Sequence, residues 1–220
     1  MPLLCLDLDN TLVDRTAGFR AWASEFVLRY GIEPLEVGWI MQIDLDGYAD
    51  RAAVFEQIEA RFGVASAEEL LEDYRVRTPE LIHAYPGCLE ALARAKKRGW
   101  SPWLVTNGMV AVQEGKLRAV GLEAVLDGWV VSAEVGLRKP GAEIFERTAE
   151  LAGTTLDGAW MIGDSGHADI GGAHNAGMRS IWIHRHRSWD ESYFAPTHVA
   201  ADIVEAVELL GPGDLGSMGD

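Results

Sequence analysis

From Cys88 onwards the chain alternates between two kinds of segment, and that alternation leaves few folds open. Helical patterns over 89–98, 110–120, 141–152, 169–176 and 201–210 take turns with short apolar runs over 101–106, 128–132, 159–163 and 180–184. Runs of this kind, separated by helices, imply parallel strands with crossover connections: an α/β fold with a doubly wound parallel sheet. Leu3 to Leu6 supplies one more buried strand at the start of the chain. Ligands bind such sheets beyond the carboxyl ends of the strands, where strand order reverses. Three strand ends carry polar residues that would meet there: Asp7 with Asp9, Thr106 with Asn107, and Asp164.

The stretch between Asp14 and Ala84 holds no such strand. Phe19, Trp22, Ala23, Phe26, Val27 and Tyr30 recur at helical spacing behind Asp14, a candidate N-cap. Further helices are expected over 35–43, 51–62 and from Ser66 to about Thr78, with Pro79 as a boundary. The expected organisation is an α/β core of residues 1–13 and 85–210, with an all-helical insertion, 14–84, after the first strand. Pro86-Gly87 reads as the second hinge. The glycine-rich tail 211–220 is expected to fray.

Two carboxylates, Asp7 and Asp9, follow the first strand. Burying an unpaired carboxylate costs several kcal/mol. Two of them about 5 Å apart repel by a further ~3 kcal/mol at an effective dielectric of about 20. Capping of the next helix, or exposure to solvent, would be the plain explanation. A cation is the other, and oxygen ligands with open positions suit Mg²⁺, which also binds phosphate. The other polar strand ends have plain explanations too. Asn107-Gly108 is a common turn pair, Lys139 could lie on the surface, and Asp164 and Asp169 could cap a helix.

Charge limits the partners. A formal net charge of -15 disfavours nucleic acid and anionic membranes. Any anion must then be held by local cations. The two cysteines, Cys5 and Cys88, form no CxxC, which suits a reduced, cytoplasmic setting. No signal peptide and no membrane span are expected. The spacing of His167, His174, His184 and His186 matches no usual zinc site. Trp189, Tyr193 and Phe194 lie close together in a loop and could line a pocket or interface. The acidic run from Glu68 to Asp73 reads as a solvated helix face.

Joined at one sheet edge, these groups form a composite site. A carboxylate can attack phosphorus to give an aspartyl-phosphate, and a second can protonate the departing alkoxide and then activate water. A hydroxyl and an ammonium can hold phosphoryl oxygens, with backbone N–H groups near Leu8, Asp9 and Asn107 as further donors. Phosphate monoester hydrolysis demands acceleration approaching ~10²¹-fold, about 28 kcal/mol. One well-aimed donor supplies only about 3–4 kcal/mol, so several groups must act together.

The segments Asp7-Leu8-Asp9-Asn10-Thr11-Leu12, Thr106-Asn107, Glu134 to Pro140 and Gly163-Asp164-Ser165 with Asp169 and Gly172-Ala173 resemble, in order, the four motifs of the haloacid dehalogenase superfamily. The resemblance is to the phosphatase branch with a helical (C1-type) cap, and it covers essentially the whole chain. It implies a Rossmann-like core and Mg²⁺-dependent hydrolysis of a small phosphorylated metabolite. Asp7 would be the nucleophile and Asp9 the acid/base. Mg²⁺ would be bound by the Asp7 carboxylate, the Asp9 carbonyl and Asp164. Thr106, Asn107 and Lys139 would bind phosphate, and Asp169 would orient Lys139 or the metal shell. Two departures stand out: Ala168 where many relatives have asparagine, and no identifiable specificity loop in the cap. Metal-free dehalogenases of the group lack the second aspartate, so Asp9 argues against that chemistry. A phosphomutase and a non-catalytic partner-binding relative are the alternatives. The sequence leaves monomer or homodimer open.

Overall fold

A computed structural model describes residues 1–211, so of the expected tail only Gly211 lies within the described residues. In chain order, β1 (Leu3–Leu6) leads into four helices, α1 (Arg15–Arg29), α2 (Glu36–Asp44), α3 (Arg51–Phe62) and α4 (Ala67–Leu81). Then come α5 (Cys88–Lys97), β2 (Ser101–Thr106), α6 (Val110–Ala119), β3 (Gly128–Val131), α7 (Ser132–Val135) and α8 (Glu143–Ala152). β4 (Trp160–Gly163), α9 (Gly171–Asn175), β5 (Arg179–Ile183), β6 (His198–Ala200) and α10 (Ile203–Leu209) complete the described chain.

The six strands form one sheet in the order β3-β2-β1-β4-β5-β6, and every pairing is parallel. The doubly wound sheet is therefore present, with one more strand than the sequence suggested. β6 is three residues long, and two of them are exposed, so it carries no apolar run to read. β1 lies at the centre with all four residues fully buried, as expected of a strand covered on both faces. The chain fills one side of β1 with β2 and β3 and returns to its other side with β4. The switch point thus lies between β1 and β4, and Asp7 and Asp164 follow directly on those two strands.

The chain divides into two compact units, one of Met1–Val13 with the residues from Ala84 onwards, the other Asp14–His83. The points of departure and return are adjacent in the first unit. Val13 bridges Ala84 in antiparallel fashion, and the Tyr85 N–H donates to the Leu12 carbonyl at 2.9 Å.

The second unit contains helices α1–α4. Asp14 caps α1 by accepting from the Ala17 N–H at 2.8 Å, and Ser66 with Glu69 forms a capping box on α4. Pro79 does not end α4, which runs on to Leu81. Proline forfeits one intrahelical bond, but Thr78 and Leu81 pack on the unit's interior in the same last turn. The core is aromatic: Trp22 stacks with Phe19 and Phe26 and meets Phe55 and Tyr74 edge-on. Asp73 is not merely solvated, since it accepts from the Trp22 indole and from Arg29, both at 2.8 Å.

Asp44 is fully buried between Arg15 and Arg51; Arg15 and Arg51 each donate to its Oδ1 at 2.6 Å, and Arg15 also to Oδ2. Burial alone would raise its carboxyl, but the two guanidinium groups overcome this and hold it below the usual range. Replacing Asp44 with asparagine leaves two partly or wholly buried guanidinium groups without their counter-charge. A loss of about 3–5 kcal/mol is expected, read as a fall in denaturant midpoint. The sign with pH follows. A depressed carboxylate stabilises fully above its ordinary value of about 3.9. That contribution disappears as pH falls through the lower folded-state value. Thermal melts of the wild type and the variant should therefore converge in acid.

Candidate active site

The loop after β1 is wound tightly. The Leu8 carbonyl accepts from the N–H groups of Thr11, Leu12 and Val13, while Leu8 and Leu12 are buried beneath it. Asn10 takes a left-handed conformation (φ 60), which asparagine tolerates better than most residues. The Asp7 N–H continues the sheet by donating to the Ile162 carbonyl at 3.0 Å. These bonds fix both aspartates on a rigid base.

Lys139 is buried and donates from Nζ to Asp7 Oδ1 and to Asp169 Oδ1, each at 2.6 Å. Its backbone is held by Asn107, whose Nδ2 donates to the Lys139 carbonyl at 2.9 Å and whose Oδ1 accepts the Lys139 N–H at 3.0 Å. The Asn107 side chain is thus a clamp on the lysine segment. Burial alone would push the Lys139 ammonium down, yet Asp169 and Asp7 outweigh it and the net shift is upward. For Asp7, burial pushes the carboxyl well above the usual range. Lys139 opposes this, while Asp169 and Asp164 reinforce it.

Asp169 comes from a wide, π-helical turn over Gly166–Ile170 that begins with Ser165 as N-cap. So Ser165, not Asp164 or Asp169, caps the segment. Single π turns of this kind often accompany functional sites. Asp169 Oδ2 accepts the Ser165 N–H at 2.9 Å. Gly163 makes room for it: a Cβ there would lie 2.1 Å from that oxygen and would displace the Asp169 side chain. Carboxylate oxygens of Asp7, Asp164 and Asp169 all lie within 4.8 Å of one another. Three hard anionic oxygens so close together are a donor set that fits a divalent cation such as Mg²⁺.

The Asp9 carboxylate turns to other partners. Lys116 Nζ donates to both its oxygens at 2.7 and 2.8 Å, and Gln113 Nε2 to Oδ2 at 3.2 Å. Gln113 also donates to Thr106 Oγ1 at 2.6 Å. Asp164 is met by Arg187, which donates to its carbonyl at 2.7 Å and its Oδ2 at 3.0 Å, and by the Trp182 indole on the carbonyl at 2.8 Å. In an acidic chain, cations are thus gathered locally.

Gln113, Lys116 and Arg187 are not evident from the sequence reading. The first two carry a signal, being polar residues three apart on the face of α6 that also buries Leu117. Arg187 sits in a loop and carries none. In the loop expected to line a pocket or interface, Trp189 and Phe194 are half-buried against neighbouring side chains. Trp189 lies edge-on against Trp182, Phe194 stacks on His174 and crowds Gly171, and Tyr193 is exposed. Among the described residues no histidine joins a candidate metal cluster.

The family model for haloacid dehalogenase-like hydrolases matches residues 4–183. The chain belongs to this family. It is 33% identical over 132 residues to pyrimidine 5'-nucleotidase YjjG of Escherichia coli. That match covers 60% of this chain and 58% of the nucleotidase. It is 29% identical to phosphoserine phosphatase of Thermus thermophilus, over 84% of this chain and 89% of that enzyme. The magnesium-bound HAD-hydrolase YfnB of Bacillus subtilis has the same fold, with a TM-score of 0.77 at 23% identity, over 95% of this chain and 98% of the other.

Proposed function

We propose that the protein is a Mg²⁺-dependent phosphatase that hydrolyses a small organic phosphate monoester through an aspartyl-phosphate on Asp7. One observation carries the reading. The buried Asp7 carboxylate, at the end of the central strand, faces the Lys139 ammonium at 2.6 Å and the carboxylates of Asp164 and Asp169 within 4.8 Å.

Asp7 attacks phosphorus and Asp9 gives a proton to the departing oxygen. Asp9 then takes a proton from the water that opens the phosphoenzyme. Lys139, the Thr106 hydroxyl and backbone N–H groups near Leu8, Asp9 and Asn107 hold the phosphoryl oxygens as charge develops. Asp169 orients Lys139 through its 2.6 Å contact. The Asp7 and Asp164 carboxylates and the Asp9 carbonyl would hold Mg²⁺, which neutralises phosphoryl charge when bound. Residues 14–84 would serve as the cap that excludes water. The relatives named above act on different phosphate esters, which supports the reaction class more than any one substrate. Cys5 and Cys88, both buried and unpaired, suit a cytoplasmic setting.

EDTA should abolish release of phosphate from p-nitrophenyl phosphate, and added Mg²⁺ should restore it. Turnover indifferent to chelation would overturn the metal assignment. No turnover of any ester in a panel of phosphorylated metabolites would overturn the reading itself.

A further inference from the structure

A second lysine is buried at the end of the sheet, apart from the one that meets Asp7. Lys116 lies on α6 with its side chain only 4% exposed. A buried ammonium costs several kcal/mol unless it is well paired, and Lys116 directs its donors into one small network. It reaches both oxygens of Asp9, and it donates to Gln113 Oε1 at 2.9 Å. Gln113 in turn bonds Asp9 and Thr106. The result is a continuous polar chain from the hydroxyl at the end of β2 to the carboxylate in the loop after β1. The backbone is shaped for it: a Cβ on Gly108 would lie 2.9 Å from Gln113 Cγ.

We propose that Lys116, together with Gln113, is a positioning residue for Asp9 in proton transfer. The inference rests on the acid/base role given to Asp9 above. In the first half-reaction the bond from Asp7 to phosphorus forms and the ester P–O bond breaks. The Asp9 proton goes to the leaving oxygen, and the carboxylate that remains faces the Lys116 ammonium. In the second, water attacks phosphorus, the Asp7–phosphorus link breaks, and Asp9 takes the water's proton. Lys116 and Gln113 touch neither substrate nor phosphorus in these steps. They set where the Asp9 oxygens lie relative to Thr106.

The leaving group separates this role from that of a plain structural tie. p-Nitrophenolate departs with little need of a proton, whereas an alkoxide requires one. General acid assistance is worth about 10²- to 10⁴-fold, and kcat/KM reports only on the first half-reaction. Lys116→Met is expected to lower kcat/KM for a primary-alkyl phosphate at least about tenfold more than for p-nitrophenyl phosphate. Gln113→Leu should shift the same ratio in the same direction, and Lys116→Arg should recover part of it. Equal losses on the two esters would overturn the proposal, because a structural tie affects both alike. If Lys116→Met does not fold, the ratio for Gln113→Leu decides. Asp9→Asn keeps the two readings apart. If Asp9→Asn discriminates between the esters and the Lys116 and Gln113 variants do not, only the positioning role falls. If Asp9→Asn does not discriminate either, the acid role of Asp9 falls and the positioning role with it.

Discussion

Asp7→Asn should turn over p-nitrophenyl phosphate about 10⁴-fold more slowly than the wild type, or worse, while remaining folded. Deleting the covalent nucleophile proposed above removes the whole route, not one contact within it. The side chain that disrupts chemistry least in shape is the amide, which cannot form the acyl-phosphate without first becoming the acid. Stability should move the other way. Burial already penalises the charged form of Asp7 and holds its carboxyl well above the usual range. A neutral amide escapes that penalty, and Lys139 keeps its contact with Asp169. The metal-free variant should melt at or above the wild-type temperature. A retained rate, measured on protein free of wild-type contamination, would remove Asp7 as nucleophile.

Lys139→Met is expected to lose both activity and stability. Lys139 is the cation around which the buried carboxylates gather, with Asp7 and Asp169 each at 2.6 Å. Removing one partner of a buried pair costs about 3–5 kcal/mol, and here one deletion strips two carboxylates at once. Methionine fills most of the volume, so the loss is electrostatic and not a cavity. Metal should therefore compensate in part. Mg²⁺ should raise the melting temperature of the variant more than that of the wild type, by linkage of binding to folding. Activity should stay at least about 10²-fold down even with saturating Mg²⁺, because the phosphoryl oxygens lose an aimed donor. Equal metal-induced shifts for the two proteins would argue that the lysine and the cation do not share one charge cluster.

What can be read in the sequence follows from how far each signal reaches along the chain. Asp7, Thr106 and Asp164 each close an apolar run, and a buried strand that ends in a polar residue is visible within a few positions. The parallel sheet is legible for the same reason, except β6, whose three residues offer no pattern. Lys139 and Asp169 look ordinary in isolation. Their resemblance to known motifs singles them out, and only the fold brings them within reach of Asp7. The Asn107 clamp depends on a partner 32 residues away. Arg187 meets Asp164 from an irregular loop, where no periodicity indicates direction. Lys116 and Gln113 are easily overlooked although they share a helix face, because lysine and glutamine are usually surface residues.

The bridge between Val13 and Ala84 has a consequence for how such chains diversify. Seventy residues, Asp14 to His83, leave and re-enter the sheet-bearing unit at neighbouring points. No strand order and no crossover depends on what is spliced between them. A shorter, longer or wholly different segment could be grafted at that doorway, leaving Asp7, Asp164 and Asp169 on an undisturbed scaffold while sequence change accumulates in the graft alone.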